Sequence, residues 1–176
     1  MPAHDPIPSQ AHAPSQPRRL PQALTRPGLC LAVLAATLVL GACGGKVKDT
    51  HPQQWVTQRK TAFKQMLEAL EPLGQVSRDQ LPYNAEHVLL GAKHLEALSS
   101  VPWALFPPDS NYPPTEAKPE VWSQATEFKA AQDHYQASVH QLVQAAEAGQ
   151  VDAVKNAVNA VQKSCKACHG QFRNAR

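Results

Sequence analysis

The apolar residues from position 53 onward recur at three- and four-residue intervals, which is the period of amphipathic helices. This period predicts a first helix over residues 53–73, ended by Pro72, Gly74 and the polar stretch that follows. A second helix is predicted from about Pro82, a residue suited to a first helical turn, to Pro102. Their apolar stripes are Phe63, Met66, Leu67, Leu70 and Leu73 in the first helix, and Ala85, Val88, Ala92, Leu95 and Leu98 in the second.

Two further helices are predicted in the C-terminal half. The third extends from Pro119 to about Ala148 and is terminated by Gly149, and the fourth extends from Val151 to about Arg173. Their stripes are Val121, Ala125, Phe128, Gln132, Tyr135, Val139 and Leu142 in the third helix, and Val151, Val154, Val158, Val161, Cys165, Cys168 and Phe172 in the fourth. No period-two alternation competes with these patterns. We therefore predict an all-α fold, an antiparallel four-helix bundle.

The connection between the second and third helices, residues 101–119, contains six prolines. Proline is excluded from regular helix interiors, so this connection should be irregular. Trp103, Leu105 and Phe106 are apolar, which indicates that part of it packs against the bundle. We interpret it as a crossover between two antiparallel helix pairs.

The N-terminal segment has a different composition. Three arginines stand before an apolar run that ends in Leu40-Gly41-Ala42-Cys43. A basic region, a short apolar core and small residues at the cut site predict a secretory signal peptide over residues 1–42. The apolar run is shorter than the ~20 residues of a membrane-spanning helix.

The end of this segment resembles the lipobox of bacterial lipoproteins, in which the cysteine is acylated and becomes the mature N-terminus. The resemblance implies lipidation of Cys43, an anchor segment over residues 43–52 and a folded domain over residues 53–176. Gly44, where another signal would place Asp, implies anchoring to the outer membrane, facing the periplasm. Ordinary cleavage near Ala42 is the alternative.

The chemistry-bearing motif is Cys165-Lys166-Ala167-Cys168-His169 in the fourth helix. Two thiols three residues apart on a helix lie on one face, where they can form thioethers with the two vinyl groups of one haem. The adjacent His169 can then bind the iron axially, and Cys-x-x-Cys-His is accordingly typical of c-type haem attachment. Because both cysteines fall on the apolar stripe, the covalently bound haem should face the bundle interior.

Three other readings of the motif are weaker. A zinc site would need a second Cys or His pair, which the remaining histidines do not form. A thioredoxin-like dithiol would need a βαβ context, which is absent. A chance match conflicts with the export signal, because haem is attached to c-type proteins after export. The net charge of +3 gives no case for nucleic-acid binding.

The domain resembles the class II cytochromes c, specifically the cytochrome c′ group, over about residues 54–173. The resemblance rests on the C-terminal haem motif in a four-helix bundle and on four flanking sequences. These are Leu81-Pro82-Tyr83-Asn84, Leu98 through Pro102-Trp103, Pro119-Glu120-Val121-Trp122, and Phe172-Arg173. The family often has Asp where Asn84 stands.

The resemblance implies roles for residues outside the motif. Phe63 occupies the distal position, where an apolar residue leaves the iron five-coordinate. Met66 is interpreted as core, with ligation of the iron as the alternative. Arg59 matches a basic residue near a haem propionate, with a solvated surface arginine as the alternative. Arg173 matches a basic residue beside the proximal histidine, and also suits a helix C-terminus.

We expect a haem protein and not an enzyme, because no distal acid, base or second cofactor motif is present. The first hypothesis is a periplasmic electron carrier, a binder of nitric oxide and carbon monoxide at five-coordinate haem, or both. A low-spin electron carrier with Met66 as sixth ligand and an interaction module with structural haem are the alternatives. The implied partners are redox proteins, diatomic gases, the membrane through the lipid anchor, and a second copy in a homodimer.

Overall fold

A computed structural model describes residues 47–175. The helices are, in chain order, α1 (Trp55–Ser77), α2 (Ala85–Leu98), α3 (Glu120–Ser123), α4 (Ala125–Glu147) and α5 (Val151–Phe172). No strand occurs among the described residues, so the predicted all-α class is confirmed. The predicted signal peptide over residues 1–42 and Cys43 lie outside the described residues. None of the helices in residues 47–175 has the length and apolar character needed to cross a membrane.

The four long helices form the predicted antiparallel bundle. Helix α4 packs along α5, α1 packs against both α2 and α5, and α2 packs against α4. The central residues of the shared core are completely buried: Ala92, Leu95, Val139, Leu142, Val158 and Val161. Burial of each large aliphatic side chain contributes roughly 1.5–3 kcal/mol, so the apolar stripes account for the association of the helices.

The predicted end of the first helix is wrong, because α1 continues through Pro72 and Gly74 to Ser77. Proline removes one helical hydrogen bond, at a cost of about 3 kcal/mol. Burial of the side chains beyond Pro72 offsets that cost, since Leu73 is 3% exposed and Val76 is 8% exposed. Gly74 also lies where α1 crosses α5 closely, because a Cβ atom there would be 2.9 Å from Nε2 of Gln162.

The stripe of the third helix predicted one continuous helix, but the structure contains two. The segment divides into the single turn α3 and the long α4 at Gln124, whose φ of −117° and ψ of 54° are not helical. The turn places Val121 in a second apolar cluster with Phe128 and Phe172. The stripe of the first helix also contained one error, because Leu67 is 63% exposed.

Two helix ends follow their sequence signals. Asn84 caps α2, since its side-chain oxygen accepts a hydrogen bond of 2.9 Å from the backbone N–H of His87. Gly149 ends the segment after α4 with a φ of 68°, a left-handed conformation that favours glycine. These two residues fix where the connections leave the bundle.

The start of α1 is capped from outside the helix. Asp49 accepts hydrogen bonds from the backbone N–H of Thr57 at 2.8 Å and from its hydroxyl at 3.0 Å. The hydroxyl of Tyr112, in the connection, donates to the same carboxylate at 2.9 Å. Part of the predicted anchor segment is therefore tied to both α1 and the connection.

Candidate cofactor site

Helices α1, α4 and α5, together with the connection, line an open cavity of about 700 Å³. Its walls include six aromatic side chains: Phe63, Trp103, Phe106, Phe128, Tyr135 and Phe172. Trp103 and Phe106 belong to the connection, in agreement with the expectation that its apolar part packs against the bundle. A largely apolar cavity of this size is suited to a cofactor with a flat hydrophobic body.

Helix α5 brings the three residues of the predicted motif, Cys165, Cys168 and His169, to this cavity. Cys165 packs against the main core cluster, and Cys168 packs against the second cluster with Phe128 and Phe172. Both thiols are free and half-buried. The three-residue spacing on a helix places them on one side of α5, with His169 beside them.

The protein surroundings favour the neutral forms of all three groups. Burial raises the pKa of the Cys165 thiol, and burial together with Cys165 raises the pKa of Cys168 to about 11. Burial, followed by the charge of Arg173, lowers the pKa of His169. At neutral pH the thiols are therefore protonated, and the imidazole is in the neutral form that can bind a metal.

Phe63 faces the histidine across the cavity. The two ring centroids are 6.4 Å apart, and the ring planes are inclined by 75°. Phe63 is held by edge contacts with Trp103 at 5.8 Å and with Phe106 at 6.4 Å. Met66 lines the same cavity but is 7% exposed and belongs to the main core cluster.

Arg59 lies on α1 at the edge of the cavity and is 4% exposed, so it is not a solvated surface arginine. Its Nη1 donates to the carbonyl of Leu105 at 3.2 Å and to Oγ of Ser110 at 2.9 Å. Its Nη2 donates to the carbonyl of Ser110 at 3.0 Å and to Oγ1 of Thr115 at 3.1 Å. The guanidinium also stacks on Phe106 at 4.6 Å. Arg59 thus binds the connection to α1.

These contacts leave one donor of Arg59 for another acceptor. A guanidinium has five N–H bonds, and the four on Nη1 and Nη2 are engaged. The fifth, on Nε, makes no hydrogen bond with the described residues. Arg59 can therefore hold the connection and still offer a donor and a positive charge to an anion.

Arg173 follows α5 directly and pairs with the connection. Its Nε donates to Oε2 of Glu116 at 3.0 Å, and its Nη2 donates to the same oxygen at 2.6 Å. The backbone N–H of Lys118 donates to the carbonyl of Phe172 at 2.9 Å, which reinforces this junction. Both Arg173 and Glu116 line the cavity, so the end of α5 is fixed at its mouth.

The donor set fits one haem. Two neighbouring thiols match its two vinyl groups, the neutral imidazole of His169 matches its iron, and the aromatic walls match the macrocycle. No group of three His, Cys, Asp or Glu side chains among residues 47–175 could hold a metal ion, which disfavours zinc. The raised pKa values of the thiols disfavour a reactive dithiol, which needs thiolate at neutral pH.

Comparison with known proteins agrees with this geometry. A family model described as Cytochrome C' matches residues 54–173. The chain belongs to the cytochrome c′ family. Family membership confirms the resemblance and the cofactor, covalently attached haem c.

Two curated relatives are similar over nearly their whole length. The cytochrome c' of Alcaligenes xylosoxydans xylosoxydans is 35% identical over 122 residues, covering 69% of this chain and 94% of the relative. The cytochrome c' of Pararhodospirillum photometricum is 37% identical over 126 residues, covering 69% and 98%. The aligned lengths are close to that of the helical domain matched by the family model, residues 54–173.

Solved structures of the cytochrome c prime of Alcaligenes xylosoxidans have the same fold. A nitric oxide complex of one variant aligns with a TM-score of 0.68 and 33% identity, covering 73% of this chain and all of that chain. A carbon monoxide-bound structure of another variant aligns with a TM-score of 0.67 and 34% identity over the same shares.

Several residues that shape the site were not identified from the sequence. Ser110 is completely buried and binds Arg59 through both its hydroxyl and its carbonyl, yet it is one small polar residue in an irregular segment. Thr115 and Glu116 were missed for the same reason. No periodic pattern marks such residues, because their partners lie more than 50 positions away in the chain.

Proposed function

We propose that the protein is a periplasmic haem protein that binds nitric oxide or carbon monoxide at five-coordinate iron and exchanges single electrons with a partner protein. The observation that carries this proposal is the placement of Phe63 opposite His169, at 6.4 Å between ring centroids. A phenyl ring cannot bind iron, so the face opposite the histidine keeps an open coordination position. A small neutral molecule can reach such a position past an apolar wall.

Each residue of the site has a defined task in this proposal. The Cys165 and Cys168 thiols form the two thioether bonds, and the neutral imidazole of His169 binds the iron. When bound, haem c supplies a redox-active metal with an open position. Phe63 and its aromatic neighbours exclude water and anions from that position. The positive charge of Arg59, with its free Nε–H, offsets the negative charge of a haem propionate. Arg173 lies on the proximal side, where its charge acts on His169.

The relatives support gas binding as the function of this site. One structure of the Alcaligenes xylosoxidans protein is a nitric oxide complex, and another is carbon monoxide-bound. The present chain provides the same fold, the complete attachment motif and an apolar residue on the wall facing the histidine.

The alternative is a low-spin electron carrier in which Met66 is the sixth ligand. It draws on one observation, that Met66 lines the same cavity as Phe63 and His169. Its burial in the main core cluster favours a packing role.

The absorption spectrum of the ferrous holoprotein with and without carbon monoxide distinguishes the two proposals. We expect carbon monoxide to shift the Soret band, because the position opposite His169 is open. Absence of a shift, together with the charge-transfer band of methionine ligation in the ferric protein and its loss in Met66→Ala, would establish the alternative instead.

We also propose that Cys43 is acylated and anchors the domain to the outer membrane, facing the periplasm. More than one acyl chain would make this anchoring stable. Labelling of cells with a fatty acid should mark the wild-type protein but not Cys43→Ser. Equal release of both proteins with the soluble periplasmic fraction would argue for ordinary signal cleavage.

A further inference from the structure

We propose that the mouth of the haem cavity is a docking surface for an acidic electron-transfer protein. The inference rests on the electron-exchange part of the proposed function. Three lysines support it. Lys60 on α1 and Lys166 on α5 line the cavity, and Lys118 in the connection binds the carbonyl of Gly170, next to His169. These three residues are here called the basic rim.

The charges of the basic rim are not neutralised within the protein. Nζ of Lys60 donates to the carbonyl of Pro114 at 3.2 Å, and Nζ of Lys118 donates to the carbonyl of Gly170 at 3.0 Å. These carbonyls hold the two ammonium groups in place without cancelling their charge. The ion pairs found within residues 47–175 use other bases, namely His51, Lys64, Arg78, Lys93, Lys129, His140, Lys155 and Arg173.

The carboxylates near the mouth, in contrast, are already paired. Glu116 binds Arg173 at 2.6 Å, and Glu71 lies 3.5 Å from Arg78. The next acidic residue along α1, Glu68, lies 3.4 Å from Lys64. The mouth therefore carries an excess of positive charge, contributed by the basic rim.

This excess is local and is not a consequence of a basic domain. Residues 47–175 contain twelve Lys and Arg and thirteen Asp and Glu residues. Three lysines on other parts of the surface are paired: Lys93 with Glu147, Lys129 with Asp133, and Lys155 with Asp79. A patch of one sign on a nearly neutral domain orients an approaching partner of the opposite sign.

The position of the patch indicates electron exchange. Two lysines of the basic rim line the open cavity and the third binds next to His169, so an acidic protein seated on them would bring its redox centre close to the haem. One electron would pass from ferrous iron to the oxidised partner, leaving ferric iron and the reduced partner. No atom or proton would move. An anionic membrane seated there would instead cover the opening, and we favour the protein for this reason.

The test uses the full holoprotein and two small oxidants of opposite charge, ferricyanide and tris(phenanthroline)cobalt(III), followed by stopped-flow absorption. We expect oxidation of the ferrous protein by the anion to slow with added salt, and oxidation by the cation to accelerate. The variant Lys60→Glu/Lys166→Glu should lose roughly tenfold in rate with the anion at low salt, because local charge steers the encounter. At ~1 M salt, where the Debye length is about 3 Å, the difference should nearly vanish.

The control is Lys93→Glu/Lys129→Glu, which changes the net charge equally at sites away from the mouth. It should stay within about twofold of wild type, since steering depends on charge near the opening. Equal effects of the two double variants would overturn the proposal while leaving the proposed function intact. A holoprotein that cannot be oxidised and reduced reversibly would instead refute the electron-exchange function itself.

A second measurement identifies the class of partner. Reduced flavodoxin, an acidic one-electron donor, should reduce the ferric protein faster than it reduces Lys60→Glu/Lys166→Glu at low salt. Vesicles containing anionic phosphatidylserine should not change that rate. Strong inhibition by the vesicles, without any effect of the substitutions on the flavodoxin reaction, would assign the basic rim to a lipid surface.

Discussion

At the scale of single residues, the site depends on side chains that are held in place by several partners each. Phe63 is fixed by Trp103 and Phe106, and Arg59 is fixed by four hydrogen bonds to the connection. The connection thereby becomes a wall of the cavity in spite of its irregular backbone. Substitution of Phe63 tests access to the iron, whereas substitution of Arg59 tests the stability of the fold.

The first prediction concerns access to the iron. Phe63→Ala should raise the association rate of carbon monoxide with the ferrous protein by roughly tenfold, a barrier change of about 1.4 kcal/mol, because the phenyl ring obstructs the open position. Flash photolysis measures this rate. Leu90→Ala, on α2 and 60% exposed in the wild type, is the control because Leu90 does not line the cavity. An unchanged rate in Phe63→Ala would show that entry is limited elsewhere.

The second prediction concerns Arg59. Arg59→Met should lower the free energy of unfolding by about 3 kcal/mol, because it leaves the carbonyls of Leu105 and Ser110 without their donor. Urea unfolding followed by circular dichroism measures the loss. Lys64→Met, whose side chain is 74% exposed, should change stability by less than ~0.5 kcal/mol. Similar values for the two variants would contradict a structural role for the buried arginine.

The sequence revealed the motif on α5 because its chemistry is local. Cys165, Cys168 and His169 lie within five consecutive residues, so their spacing alone indicates where a haem would attach. The burial of Arg59 was not predictable in the same way, since it depends on Ser110, 51 positions away. Resemblance to a family supplied Phe63 and Arg59 as candidates, and the structure supplied their contacts.

At the scale of elements, three- and four-residue periodicity located all four long helices but not all of their ends. Pro72 and Gly74 are typical of a helix end, yet Leu73 and Val76, which follow Pro72, are buried. Local propensity was outweighed by tertiary packing at this end. Gln124 interrupts the third helix, although no glycine or proline stands there to signal a break.

The continuation of α1 leads to a third prediction. Pro72→Ala should raise the free energy of unfolding by about 2 kcal/mol, because alanine restores the helical hydrogen bond that proline lacks. Urea unfolding measures the gain, and hydrogen exchange should show slower opening between Leu73 and Ser77. Pro82→Ala, which precedes α2, serves as the control and should give a change below ~0.5 kcal/mol. No gain at Pro72 would mean that α1 ends where the sequence indicated.

A fourth prediction concerns the turn between α4 and α5. Gly149→Ala should cost about 1 kcal/mol, since alanine is strained at a φ of 68° although no atom lies within 4 Å of its Cβ position. Gly149→Asn should cost less, because asparagine tolerates the left-handed conformation better. Thermal unfolding measures both variants. Equal stabilities of the alanine and asparagine variants would exclude backbone strain as the cause.

At the scale of the whole molecule, the bundle, the connection and the charge distribution act on one site. The core of α1, α2, α4 and α5 fixes the direction of α5, and the connection closes the cavity against it. Arg173 and Glu116 join the end of α5 to the connection. Lys60, Lys118 and Lys166 lie around the cavity, so a partner would be recognised at its mouth, while a gas would bind inside it next to Phe63.

The mass spectrum of the protein, purified after export from cells that attach haem to cytochromes c, is the decisive measurement for covalent haem. Each chain should be heavier by one haem, this mass should persist after denaturation in acid, and Cys165→Ser/Cys168→Ser should lack it. A chain of unmodified mass with both thiols free would show that Cys165 and Cys168 do not attach haem.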